Sequence, residues 1–194
     1  MYDKICSFLK DSLHLKRMIR SGWINSGVPP AEVESVADHS YMVTLLALVI
    51  ALDEQRKGND INLEKTIIMA LLHDLSESVS QDINRSIRKF TPENYDNFKR
   101  ELDMNASNYL LNKLPQGDSE KLLDYLSEFR SAETKEARIV VEADRLETIL
   151  QLNSYQKLGI PKNNFHEFYQ NLSNELEFYQ FDLVKDLASK LLME

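Results

Sequence analysis

Two imidazoles and two carboxylates stand where apolar helices should be dry. His73-Asp74 follows six consecutive apolar residues, Ile67–Leu72; His39 opens a second segment that is apolar nearly all round; Asp144 lies between Ala143 and the Leu146, Ile149 and Leu150 side of a third. A charge buried in such surroundings is costly unless it is paired. One divalent cation would satisfy all four groups at once. Two imidazole nitrogens and two carboxylates make a mixed N/O site, suited to manganese, cobalt, iron, zinc or magnesium. Four protein ligands on a five- or six-coordinate ion leave a position open for a water or a phosphate oxygen, which a catalytic metal needs. On a helix, His73 and Asp74 are about 100° apart, so both can lean towards an ion lying against the ridge between them. Glu77, three and four residues on, shares that face and is placed to move a proton on a reacting water. His14 and His166 have no comparable setting and read as structural.

The elements that must position these groups are helical. Ile5, Phe8, Leu9, Ser12 and Leu13 mark a first amphipathic helix running towards Ile19, interrupted at Ser21-Gly22 and followed by a turn-rich loop, Gly27-Val28-Pro29-Pro30. Further helices are predicted over Asp38 to about Arg56, Asn62 to Ser78 and Asn94 to Lys113. Pro115-Gln116-Gly117-Asp118 reads as a turn, with Asp118 or Ser119 capping the next helix. A long helix follows from about Thr134 to Lys157, ending at Gly159 with Pro161 beyond. A last, aromatic-rich helix spans about 163–192. No segment alternates as a strand does. The expectation is an all-α, single compact helical bundle of about seven helices. It forms one domain over 1–194, with a metal-site core at about 5–155 and the C-terminal helix packed on it. Asp38 reads as the N-cap of its helix, and either Glu34 or Asp38 can hold a ligand imidazole or an arginine in place.

Composition narrows the function. The chain has 194 residues, 43% of them hydrophobic and 28% charged, and it carries 23 basic against 31 acidic residues for a formal net charge of −8. A chain of this size buries roughly 70% of its unfolded surface, enough for a core without staples. The negative balance argues against a nucleic-acid polymer as partner, although a local basic cluster can still hold a small phosphate ester. Arg20, Arg85 and Arg88 are candidates for that neutralising role. The single Cys6 excludes an internal disulfide and a cysteine zinc site. The longest apolar stretch, Tyr41–Leu52, has 12 residues, against about 20 for a membrane span. The expectation is a soluble, cytoplasmic protein with no membrane partner.

Five segments together resemble a known family: Leu15–Trp23, Glu34–Ser40, Leu72–Glu77, Ser80–Ile83 and Glu142–Glu147. The order His39, His73-Asp74, Asp144 is similar to that of the HD-domain metal-dependent phosphohydrolases. The arginine/tryptophan segment with Glu34-Ser35-Val36-Ala37-Asp38-His39 looks like the branch of 5′-nucleotidases acting on deoxyribonucleoside 5′-monophosphates. The resemblance implies that His39, His73, Asp74 and Asp144 bind one metal ion and that Glu77 is the catalytic acid/base. It places Arg20 and Trp23 near phosphate and sugar, makes Asp82 a sugar contact or catalytic helper, and implies a homodimer. Gln81 departs from the pattern, since glycine is usual before that aspartate. The alternatives are the same metal chemistry on a cyclic nucleotide, a triphosphate or another phosphoester, and a non-catalytic metal- or nucleotide-binding module.

Overall fold

The computed structural model describes residues 1–193; the side chain of Arg85 lies outside the described residues. The helices run in the order α1 (Tyr2–Ser12), α2 (Ser21–Asn25), α3 (Val36–Arg56), α4 (Leu63–Leu72), α5 (Glu77–Ser80), α6 (Tyr95–Leu111), α7 (Gln116–Ser131), α8 (Lys135–Lys157), α9 (His166–Glu175) and α10 (Asp182–Leu192). Short 3-10 turns lie at Leu13–Lys16, Arg85–Lys89, Lys162–Phe165 and Leu176–Phe178. Eight of these helices have ten residues or more, among the described residues, in agreement with an all-α bundle.

The centre is α3, which packs against α4 and α8, while α10 closes over α8. Val43, Ala47, Ile50 and Ala51 of α3 meet Met69 and Ala70 of α4 and Val140, Ala143, Leu146 and Ile149 of α8 in one buried cluster. A smaller cluster joins Leu15, Val36, Leu72, Leu75, Leu110, Leu111 and Leu126 beneath α6 and α7. By length and a mean hydropathy of 1.5, α3 could cross a membrane. Its packing on α4 and α8 and its fully buried His39 mark it as the core helix.

Helix ends differ from expectation in ways that matter for the site. Asp38 is not the N-cap of α3. Ser35 is, and Asp38 completes a reciprocal capping box: the Asp38 N–H donates to Ser35 Oγ at 3.1 Å, and the Ser35 N–H donates to Asp38 Oδ2 at 3.0 Å. Neither Asp118 nor Ser119 caps α7; the helix starts behind Pro115, and both lie inside its first turn. The first helix does not reach Ile19, which instead forms an isolated antiparallel bridge with Ser35, and Ser21-Gly22 begins a helix rather than interrupting one. The C-terminal helix over about 163–192 is two helices, α9 and α10, because the chain turns extended at Tyr179 and Phe181 to bring both side chains into the core. The long helix, by contrast, starts where expected: Thr134 is the N-cap of α8, its Oγ1 accepting from the Ala137 N–H.

The predicted helix over Asn62–Ser78 also breaks. α4 stops at Leu72, His73–Ser76 form a tight turn, and α5 restarts at Glu77. It ends at Gln81, whose φ of 69° and ψ of 159° belong to a region that glycine alone enters freely. The turn therefore has the shape a glycine would give it, and Gln81 is held there under strain. Gln81→Gly is expected to stabilise the protein by about 1 kcal/mol, because strain relief of roughly 1–3 kcal/mol exceeds the entropic cost of a glycine. A melting temperature raised by a few degrees checks this, and a lowered one refutes it.

Candidate metal centre

The turn at the end of α4, the first turns of α3 and the middle of α8 bring four side chains together. His39 Nε2 lies 3.2 Å from Asp144 Oδ1 and 3.6 Å from Asp74 Oδ2. His73 Nε2 lies 3.3 Å from His39 Nε2 and 3.3 Å from Asp74 Oδ2. Because the helix has ended at Leu72, His73 and Asp74 both turn inward, which adjacent residues on a regular helix could do only partly.

The far side of each imidazole decides what the near side can be. His39 Nδ1 donates to Glu147 Oε2 at 2.6 Å. His73 Nδ1 donates to the Ala70 carbonyl at 2.7 Å. Both Nε2 atoms are therefore left facing each other and two carboxylates, with lone pairs converging. Such a constellation needs positive charge at its centre, either a shared proton or a cation. The donor set and its burial thus fit a divalent ion held by His39, His73, Asp74 and Asp144. The charges lean the same way. Burial and the neighbouring Arg20 oppose protonation of His39, yet Asp144 and Glu147 push it up to about 10. Burial would raise Asp74 and Asp144, but the imidazoles hold both carboxyls below the usual carboxylate range.

Glu147 is the residue that sequence reasoning missed. It is 2% exposed and one helical turn beyond Asp144 on α8. Besides orienting His39 it receives Arg20 Nη1 at 3.2 Å, and Arg20 Nη1 also donates to Glu34 Oε1 at 3.2 Å. The i, i+3 spacing of two carboxylates, Asp144 and Glu147, on one helix face was the available signal. Glu34 accepts from Arg20 and so holds the arginine in place.

Glu77, at the start of α5, is buried beside this cluster. Burial, then Asp74 and Asp82, push its carboxyl up to about 9, and Lys99 Nζ approaches Glu77 Oε1 at 3.5 Å. Lys99 itself is anchored to Asp103 at 3.1 Å. Asp82 Oδ2 accepts the backbone N–H of Ser21, which ties the loop after Gln81 to the start of α2.

Trp23 and Arg88 stand elsewhere. Trp23 is 1% exposed; its indole stacks on Phe168 at 4.4 Å between centroids and meets Tyr155 and Phe165 edge-on. Its Nε1 donates to Glu34 Oε1 at 2.8 Å. No ring face remains for a sugar or base, so the expected substrate contact is corrected to a core staple that holds Glu34. Arg88 is tied on the surface to Asp96 at 2.7 Å instead of reaching the cluster. The Arg85 side chain lies outside the described residues.

An all-α bundle with a His/His-Asp/Asp centre at the meeting of three helices defines a class, and the comparisons identify it. The HD domain family matches residues 13–180, and the chain belongs to that family. It is similar to the 5′-deoxynucleotidase HDDC2 of Dictyostelium discoideum, 33% identical over 186 residues covering 95% of this chain and 94% of that one. It is also similar to the 5′-deoxynucleotidase HDDC2 of Danio rerio, 29% identical over 187 residues covering 96% and 86%. Among solved structures it matches a conserved hypothetical protein from Pyrococcus furiosus with a TM-score of 0.75 and 28% identity, over 97% of this chain and 99% of that one.

Because a proton on His39 occupies the place a cation would take, the two compete. His39 is raised above its ordinary value, so it carries that proton below about pH 10. Metal affinity is therefore expected to fall about tenfold per pH unit on acidification, with about one proton released per ion bound. Calorimetric titration of Mn²⁺ in buffers of different ionisation enthalpy counts that proton, and uptake without proton release would contradict the balance drawn here.

Proposed function

We propose that this protein is a metal-dependent phosphomonoesterase that hydrolyses 2′-deoxyribonucleoside 5′-monophosphates to nucleoside and phosphate. The observation that carries the reading is the convergence of His39, His73, Asp74 and Asp144 with both Nε2 atoms facing inward and a buried Glu77 alongside. The printed names of relatives that match nearly the whole chain support the substrate class. The cofactor is one divalent ion, of manganese, cobalt, iron, zinc or magnesium. When bound, it supplies Lewis-acid charge and an acidified water.

The chain's own residues do the rest. His39 and His73 are held by Glu147 and the Ala70 carbonyl so that neither ring can rotate. Glu77 keeps a proton because burial and the flanking carboxylates of Asp74 and Asp82 disfavour its charge, and it hands that proton to the leaving 5′-oxygen as the P–O bond breaks. Lys99 anchors Glu77 from α6. Arg20 adds positive charge behind His39, with its own charge favoured by Glu147, Asp144, Glu34 and Asp74 against burial. Asp82, fixed to the Ser21 N–H, is a candidate sugar contact.

The same reading places the protein in the cytoplasm as a homodimer. Tyr41, Leu45, Val49 and Leu52 form one stripe on α3, between 41% and 67% exposed, at i, i+4, i+8 and i+11. A contiguous apolar stripe on the core helix suits a second copy of the chain. The free, exposed Cys6 suits a reducing compartment.

Phosphate release from a panel of deoxy- and ribonucleoside monophosphates, with several divalent ions and a chelator control, tests the activity. Glu77→Gln is expected to keep its metal and lose more than about 10²-fold in turnover. His73→Ala is expected to lose both metal and turnover; stoichiometric metal in that variant would remove His73 from the ligand set. For the dimer, Leu45→Glu is expected to convert the protein to a monomer by light scattering, and an unchanged mass would reject the α3 stripe as the interface.

A further inference from the structure

Glu77 sits on the least regular backbone of the site, a single helical turn behind the His73–Ser76 turn. Its carboxyl must be fixed from outside that segment. Among the described residues one side chain reaches it: Lys99 of α6, whose Nζ lies 3.5 Å from Glu77 Oε1. A lysine is flexible, and this one is held in turn. Asp103, one helical turn further along α6, takes the ammonium on Oδ1 at 3.1 Å. The same Oδ1 accepts the Ser76 hydroxyl at 3.3 Å. Ser76 is buried and immediately precedes Glu77. One carboxylate on α6 therefore grips the acid twice, through the residue before it and through the cation against it.

Asp103 is braced from behind. Its carbonyl accepts Ser107 Oγ at 2.6 Å and Arg130 Nη2 of α7 at 3.2 Å, and Arg130 Nη2 also donates to Ser107 Oγ at 2.7 Å. A chain of contacts thus runs from α7 through α6 to Glu77 without passing through a metal ligand. The Glu77, Lys99 and Asp103 side chains are all mostly buried, so salt screens their pairing less than it screens an open surface pair.

Resting on the reading of Glu77 as proton donor, we propose that Lys99 and Asp103 are positioning residues for the hydrolysis. Asp103 holds the Lys99 ammonium against Glu77, and the ammonium favours the carboxylate that forms when Glu77 gives its proton away. In that step a water oxygen bonds to phosphorus and the bond from phosphorus to the 5′-oxygen breaks. The 5′-oxygen keeps the electron pair and takes the Glu77 proton, leaving a nucleoside hydroxyl and the Glu77 carboxylate. The proton shed by the water replaces the one given. Negative charge thus grows on Glu77 as the transition state is approached, 3.5 Å from a held positive charge. An interaction stronger in the transition state than before it raises kcat.

The test compares 2′-deoxyadenosine 5′-monophosphate with its sulfur-bridged analogue, in which sulfur replaces the 5′-oxygen and leaves as a thiolate that needs no proton. Lys99→Met is expected to lower kcat for the oxygen ester about 30-fold, part of the roughly 10²–10⁴-fold that a positioned acid supplies. KM and metal content stay as they were, and kcat for the sulfur ester is nearly unchanged. Asp103→Asn keeps the shape of the side chain and is expected to act in the same direction by a smaller factor; it carries the comparison should Lys99→Met fail to fold. An equal loss on both esters makes the two residues supports of the fold alone. A raised KM for both esters, with weaker inhibition by inorganic phosphate, makes Lys99 a phosphate contact instead. Either result, or no change on the oxygen ester, overturns the proposal while leaving the hydrolase reading intact. If the unaltered protein cleaves neither ester, the hydrolase reading itself fails and this proposal falls with it.

Discussion

A buried imidazole with both nitrogens spoken for is the constraint around which this molecule is arranged. His39 has no exposure, and each side of its ring faces a carboxylate: Glu147 at Nδ1 and Asp144 at Nε2. The first contact fixes the ring and its tautomer. The second, with His73 and Asp74, creates a point of high negative potential that only a positive species can relieve. In the low dielectric of a helix bundle that demand is severe, so the helices carrying these groups must meet at one place. α3 and α8 supply His39, Asp144 and Glu147 from opposite sides, and the turn ending α4 supplies His73 and Asp74. The core packing of Val43, Ala47, Met69, Ala143 and Leu146 holds that meeting point rigid.

Charge is balanced around the centre in shells rather than in pairs. Arg20 bridges Glu147 and Glu34, and Glu34 is held in turn by the Trp23 indole and, through its backbone N–H, by the Tyr155 hydroxyl. The indole is then clamped by Phe168 of α9 and Phe165 just before it. A single chain of contacts therefore runs from the C-terminal aromatics to the imidazole. This gives the aromatic-rich end of the chain a part in the site although it contributes no ligand to it. The Glu77 side is built on the same plan, with Lys99 and Asp103 of α6 supporting the carboxyl from outside.

Irregular backbone is concentrated where chemistry is expected. α4 stops one residue before His73, α5 is a single turn starting at Glu77, and Gln81 occupies a glycine-like conformation immediately before Asp82. Each break re-aims a polar side chain that a continuous helix would have carried away around its axis. Ala132, the other non-glycine residue with positive φ among the described residues, ends α7 at the α7–α8 junction.

The sequence by itself determined the helical class, the core helices and the four polar residues that could not be left dry, because helical periodicity and the cost of burying charge are both local statements about residue type. What only the tertiary structure decided were contacts between side chains far apart in the chain. Trp23 looked like a stacking platform until Phe165 and Phe168, some 140 residues on, were seen to cover it. Glu147 had no assigned part until α3 brought His39 against it, 108 residues away. Tyr179 read as one position of a continuous amphipathic helix, but the chain turns extended there and its side chain is buried in the core. Periodicity tells which face of a helix is apolar; which partner lies against that face is set by the packing of all the helices together.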